Sequence, residues 1–238
     1  MATLRVIGSS SRGNSYILDC GDEQLIIELG CSWNDILSNL NYDLSRVCAA
    51  LVTHLHLDHS KSISNAFRYG ITVYSHDDVF AIHPESKILR KGVKTRIGKF
   101  LIQPIPLKHN VDCIGFVIDT PKDGRIVFAT DCESFPYKIK NVNHWLIECN
   151  YSEDLIIDHL CDGYNSRSMS GNHLEINDTI EVLKRNYSPA LQTVVLLHLS
   201  DNNSDAEEFQ TRVQKELGFP NVYVAESGMA IELNKEEF

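Results

Sequence analysis

Ten residues constrain this chain more than any others. The segment Leu51-Val52-Thr53-His54-Leu55-His56-Leu57-Asp58-His59-Ser60 sets four potential metal ligands within six positions, directly after an apolar stretch of strand length at 49–53. Neutral imidazole nitrogen binds zinc, iron or manganese, and carboxylate adds a hard anionic donor. If the strand continues through His54 and His56, their side chains share a face, because strand side chains alternate with a period of two. A turn into a helix then lets Asp58 and His59 approach from another direction, so that one short loop serves two metals. The bland alternative is a surface cluster of histidines; the apolar strand that positions the cluster argues against it.

Further apolar stretches of strand length recur at 4–8, 15–19, 24–29, 72–75, 100–104, 115–120, 125–129, 144–148, 193–197 and 222–225, and 226–233 reads as a final strand. Helical patterning appears at 33–40, 61–69, 152–160, 176–186 and 205–217; Asn202-Asn203-Ser204 supplies capping material before the last, and Gly218 and Pro220 follow it. This order predicts two sheets packed face to face with helices outside. His54, Asp131 and His198 each follow a strand, which gathers them on one rim. No linker or repeat divides the chain, so one domain over 1–238 is expected.

No apolar run approaches the roughly 20 residues that cross a bilayer, and the first residues read as a strand, not an export signal. The seven cysteines are scattered without a Cys-x-x-Cys pair, which fits neither a disulfide framework nor a thiolate metal site. A cytoplasmic protein with no membrane partner is expected. The net charge of −10 argues weakly against non-specific polyanion binding, since bound cations lie outside the formal count. Lys87, Arg90, Lys91, Lys94, Arg96 and Lys99 break the acidic trend. They form either a solvated segment that blunts a sheet edge or a cationic rim for an anionic substrate.

His-x-His-x-Asp-His after an apolar strand resembles the metallo-β-lactamase superfamily, and the likeness extends over nearly the whole chain. Gly8-Ser9-Ser10-Ser11-Arg12-Gly13-Asn14-Ser15 is similar to the opening of the YycJ-type branch, related to RNase Z and β-CASP proteins. Glu148-Cys149-Asn150-Tyr151, Gly171-Asn172-His173-Leu174 and His198-Leu199-Ser200-Asp201-Asn202-Asn203 resemble three further segments of it. Two departures stand out: Glu28 where the superfamily usually has an aspartate, and Asn172 between Gly171 and His173. The resemblance implies an α+β fold, a four-layer αββα sandwich of two mixed sheets flanked by helices. It also implies three more ligands, His109, Asp131 and His198. One metal then takes His54, His56 and His109; the other takes Asp58, His59 and His198; Asp131 bridges them. His76, His83, His144 and His159 match nothing and read as surface or satisfied core residues.

Two divalent cations about 3.5–4 Å apart can share a hydroxide, lower its pKa and clamp attacking and leaving oxygens, which suits phosphodiester hydrolysis. His173 matches an extra histidine of the YycJ and RNase Z branches, which implies either a general acid on the leaving oxygen or a group that orients the site. Asp58 is counted with His173 as catalytic. Ser200, Asn202 and Asn203 offer donors to a substrate phosphate, or else cap the following helix. The Gly8–Ser15 loop lacks the Gly-Lys-Ser/Thr ending of a nucleotide P-loop and reads as a hairpin turn or an anion contact.

The YycJ-type likeness implies nuclease activity, and the expectation is a 5′-to-3′ DNA exonuclease using two zinc or manganese ions, iron being the third option. The alternatives are a cyclic-nucleotide phosphodiesterase and a catalytically silent metal-binding subunit that binds nucleic acid. The expected partners are a nucleic acid or nucleotide substrate, with a homodimer left open.

Overall fold

A computed structural model describes residues 2–161 and 172–234 of the chain; Gly171 and the His159 side chain lie outside what it describes. The amino-terminal half runs β1 (Ala2–Ser10), β2 (Gly13–Asp19), β3 (Gln24–Ile27), α1 (Trp33–Asn39), β4 (Val47–Leu51), α2 (Leu57–Ser60), α3 (Ile63–Arg68), β5 (Val73–Ser75), α4 (Asp77–Ile82) and β6 (Lys87–Ile88). The remainder runs β7 (Thr95–Ile97), β8 (Phe100–Leu107), β9 (Cys113–Asp119), β10 (Arg125–Ala129), β11 (His144–Glu148), α5 (Glu153–Cys161), α6 (Ile176–Arg185), β12 (Thr193–Leu197), α7 (Ala206–Leu217), β13 (Val222–Val224) and β14 (Ala230–Leu233).

Two seven-stranded sheets result, ordered β14-β1-β2-β3-β4-β5-β6 and β13-β12-β11-β10-β9-β8-β7. Each is mixed. In the first, β3 through β6 are parallel and the rest antiparallel; in the second, β10 through β13 are parallel. Parallel strands buried on both faces read as continuous apolar runs, as Thr193-Val194-Val195-Leu196-Leu197 does.

Alternation along the strands builds four layers. Leu4, Leu18, Leu25 and Leu51 meet Phe116, Phe128, Leu146 and Val195 between the sheets. Tyr16 from one sheet stacks edge-on against Phe128 from the other, with ring centroids 5.4 Å apart. Their strand neighbours Ile17, Ile26 and Ala50 face outward onto Ile36 and Leu37 of α1 and Ile63 and Ala66 of α3. On the far side Val127, Trp145 and Leu196 pack against Ile180 and Leu183 of α6 and Phe209 and Val213 of α7. The fold is therefore the α+β sandwich expected. Among the described residues no helix is long and apolar enough to cross a membrane.

Local differences have local causes. The glycine-rich opening is part of β1 and β2, joined through a turn at Ser11 and Arg12. Asp205, not Asn202–Ser204, caps α7, its carboxylate accepting the Glu208 N–H at 3.0 Å. Helix α4 was not legible; the His76 ring caps it and two aspartates fill its first turn.

Candidate metal centre

Strand β4 stops at Leu51, so the strand does not run through His54 and His56 as the sequence pattern suggested. Glu28 gives the reason. It follows β3 with φ 67°, and its carboxylate accepts the Thr53 N–H at 3.3 Å, replacing a neighbouring strand as partner. His56 then takes extended angles and opens α2, its carbonyl accepting from the His59 and Ser60 N–H groups. Asp58 and His59 thus lie on a helical turn, and His59 is fully buried. The His54 and His56 rings still meet, with centroids 4.6 Å apart.

The remaining ligand candidates arrive from the second sheet. His109 follows β8, Asp131 follows β10, Glu148 ends β11 and His198 follows β12. Because β10, β11 and β12 are parallel neighbours, their last residues share one rim. Asp131 and His198 have φ of 51° and 54°. Non-glycine residues held in left-handed angles cost on the order of 1–3 kcal/mol each, and such strain gathers at functional sites.

These chain segments converge. Donor atoms of His54, His56, His109 and Asp131 lie within 4.8 Å of one another, as do those of Asp58, His59, Asp131 and His198. Asp131 belongs to both groups. Its Oδ2 lies 2.7 Å from His59 Nε2 and 3.3 Å from His54 Nε2, and its Oδ1 lies 3.1 Å from His198 Nδ1. His109 Nε2 is 3.3 Å from His56 Nδ1. Asp58 Oδ2 stands 3.2 Å from His59 Nε2 and 3.5 Å from His198 Nε2. A third group, Asp131, Glu148, His173 and His198, abuts the second, with Glu148 Oε1 2.6 Å from His173 Nδ1.

The polar chemistry fits divalent cations. Among the described residues the buried nitrogens His54 Nε2, His59 Nδ1 and His198 Nε2 have carboxylates nearby but make no well-aligned hydrogen bond, a costly state for a buried polar atom. Burial and the neighbouring His59 push the His54 ring well below the usual histidine range. Burial opposes charge on His59 and His198 too, but Asp131 and the other carboxylates outweigh it and draw protons onto both rings, His198 up to about 10. Asp131 is held well below the carboxylate range by His198 and His59 despite its burial. Carboxylates that must gather protons to balance their charge can gather a metal cation instead, which displaces those protons.

Several supports went unassigned in the sequence. Fully buried Glu148 accepts the Cys132 N–H at 2.9 Å and the Leu174 N–H at 3.1 Å through Oε2, leaving Oε1 for His173. Asn14 Nδ2 donates to the Asp58 carbonyl at 3.2 Å, and Asn150 Nδ2 to the His198 carbonyl at 2.7 Å. Ser9 Oγ accepts the His198 N–H at 2.9 Å. A carboxylate closing a strand straight after the apolar run Trp145-Leu146-Ile147, as Glu148 does, was the available signal. Ser200 Oγ accepts from the Asn202 and Asn203 N–H groups at 3.4 and 3.3 Å, forming the turn that leaves His198. Of the unmatched histidines, His144 is buried against the Asp123 carbonyl at 2.9 Å, and His83 lies 6.3 Å from the Phe67 ring. His76 forms a separate group with Asp78 and Asp112.

Comparison with known proteins agrees. The model of the beta-lactamase superfamily domain matches residues 31–199. Exodeoxyribonuclease WalJ of Streptococcus pneumoniae is 24% identical over 223 residues, covering 85% of this chain and 83% of that protein. The metallo-beta-lactamase fold protein YhfI from Bacillus subtilis superposes with a TM-score of 0.76 at 19% identity, over 97% of this chain and 98% of its own. Human tRNase Z, short form, gives 0.67 at 14% identity over 97% and 99%. With the family matched over most of its length and the donor clusters in place, the chain belongs to the metallo-β-lactamase superfamily and is a metal-dependent hydrolase.

Proposed function

We propose that this chain, as one domain over 1–238, is a two-metal phosphodiesterase that acts on DNA as a 5′-to-3′ exonuclease. One observation carries the reading: a single carboxylate, Asp131, is shared by two histidine-rich donor groups, with a third histidine–carboxylate pair beside them. His54, His56 and His109 would hold one cation, Asp58, His59 and His198 the other, and Asp131 both. The donor set suits zinc or manganese and tolerates iron. Bound cations would supply Lewis-acid polarisation of a phosphoryl oxygen and acidify coordinated water.

The chain's own groups account for the rest. Glu28 and Asn14 hold the turn that presents Asp58 and His59, and Asn150 and Ser9 fix the backbone of His198. Such supporting hydrogen bonds set ring orientation at metal sites. Glu148 takes the Nδ1 side of His173, so Nε2 is the nitrogen left to hand a proton to the departing oxygen. Burial resists charge on His173, but Glu148 beside it holds the ring above the usual histidine range, which favours the acid form. Ser200 and Asn202 are the substrate-facing donors in this reading, whereas Asn203, which the sequence grouped with them, is buried beneath the turn. The WalJ relative is an exodeoxyribonuclease, which directs the choice among phosphodiesters towards DNA ends.

The test is a substrate panel with zinc- or manganese-loaded protein: DNA labelled at either end, RNA and cyclic mononucleotides. Stepwise release from the DNA 5′ end is expected. Cleavage of cyclic mononucleotides with DNA left intact would overturn the reading. His173→Ala should slow hydrolysis with an alkoxide leaving group by about 10²–10⁴-fold, while a nitrophenolate, which needs no proton, should be slowed far less. Equal slowing of both would remove His173 from the acid role.

A further inference from the structure

The basic segment of the sequence is not used by the metal centre. It runs from β6 through β7 to Lys99 in the turn before β8, and β6 and β7 are the outermost strands of the two sheets. Charge there protects unpaired edges, and lysine alone suffices for that. The distribution of partners says more. Lys91 is held by Asp112 at 2.7 Å, Lys94 lies 3.8 Å from Asp119, Lys99 pairs with Asp22, and Lys87 sits over the Tyr74 ring. Arg90 and Arg96 are exposed, and neither makes an ion pair among the described residues.

Their position relates them to the centre. Strands β4, β5 and β6 are parallel neighbours, so the end of β6, which leads into Arg90, faces the same rim as the end of β4, which leads into His54. Two strand spacings separate those ends, roughly 10 Å. Gly92 N–H donates to the Pro104 carbonyl and Arg96 lies opposite Leu101, so the cations follow β8 as it runs towards His109. From Leu101 to His109 that path is roughly 25 Å, which spans about seven phosphates at the ~3.4 Å rise of a stacked strand. Val93, between the two arginines in the chain, is 52% exposed.

We propose that this edge, with Arg90 and Arg96 as its unpaired cations, holds the phosphate backbone of a single-stranded nucleic acid whose end enters the metal centre; this rests on the phosphodiesterase reading above. The protein's net charge of −10 makes such a track the local exception that guides a polyanion to one side of the rim.

The experiment measures anisotropy of a labelled phosphorothioate 15-mer on metal-loaded protein, as a function of salt. Arg90→Gln/Arg96→Gln is compared with wild type and with Lys138→Gln/Lys140→Gln, which makes the same charge change on a different surface segment. Thermal melting checks that each variant is folded. The double arginine variant should bind about tenfold more weakly at low salt. The slope of log affinity against log salt should be shallower by about 1.4, since each single-strand phosphate contact contributes about 0.7. The lysine control should match wild type. Equal slopes in all three proteins, or no strand binding by wild type, would overturn the proposal. Arginine-dependent binding by a protein that hydrolyses no phosphodiester would uphold this surface and sink the phosphodiesterase reading instead.

Discussion

Asp131→Asn is expected to reduce phosphodiester hydrolysis by at least about 10³-fold and to lower bound metal below that of wild type. The substitution keeps the shape and, because asparagine accepts left-handed angles, tolerates the φ of 51° found there. What it removes is charge. Asp131 is buried, and its two oxygens face His59, His54 and His198 within 3.3 Å. Without the shared anion, two dications would be held close together by mostly neutral rings. A loss of several kcal/mol of charge stabilisation, at about 1.36 kcal/mol per decade of rate, gives the stated factor. Asp58→Asn should act in the same direction, with less effect on metal content, since Asp58 is partly exposed and its carboxylate meets two rings, His59 and His198, with Asn14 as a third partner. Steady-state rates paired with elemental analysis of chelator-free protein decide it. An Asp131→Asn protein with full metal and more than a tenth of the wild-type rate would contradict the assignment.

Gly30→Ala is expected to be the most damaging added methyl among the described glycines. A Cβ on Gly30 would lie 1.6 Å from the Asp58 carbonyl oxygen, 2.2 Å from its carbon and 2.8 Å from the His59 nitrogen. Those are backbone atoms, so no rotamer change relieves the overlap. The surrounding chain is also pinned: Leu29 N–H donates to the His59 carbonyl at 2.9 Å, Gly30 N–H to the Asn14 carbonyl at 2.9 Å, and Ser62 N–H to the Leu29 carbonyl at 2.7 Å. Either these bonds break or α2 moves away and takes Asp58 and His59 with it. Overpacking ordinarily costs about 1–3 kcal/mol; a backbone-to-backbone clash belongs in the tail beyond about 4 kcal/mol. For a chain of this size that is a fall in Tm of roughly 10 °C, with metal retention reduced as well. Melting within a degree or two of wild type, with metal and activity retained, would contradict a tight apposition of Gly30 and α2.

How much of this was legible in the sequence depends on distance along the chain. The ligand run at 54–59 is local, and its apolar lead-in announced both a strand and a rim. His109, Asp131 and His198 were assigned as ligands only through family resemblance, although the strands before Asp131 and His198 already placed those two on the rim. The path of the chain through His54 to His56 was misjudged because its cause is remote: Glu28, just past the end of β3, captures the Thr53 N–H. That carboxylate also bears on substitution of His59. The ring is fully buried and its Nδ1 lies 3.6 Å from Glu28, so His59→Ala empties a core position as well as a ligand site. Glu148, Asn14 and Asn150 went without roles for the same reason, since their partners lie 25, 44 and 48 residues away. The two-residue β6 and three-residue β7 carry edge charges where apolar alternation would have marked a strand.

The most direct test of the two-cation centre is anomalous diffraction at the zinc or manganese edge from crystals of protein loaded with that metal. Two peaks are predicted. One should lie about 2.0–2.2 Å from donor atoms of His54, His56 and His109, the other at similar distances from Asp58, His59 and His198, with Asp131 reaching both. A single peak, or ions bound elsewhere, as at His76, Asp78 and Asp112, while this cluster shows none, would contradict it.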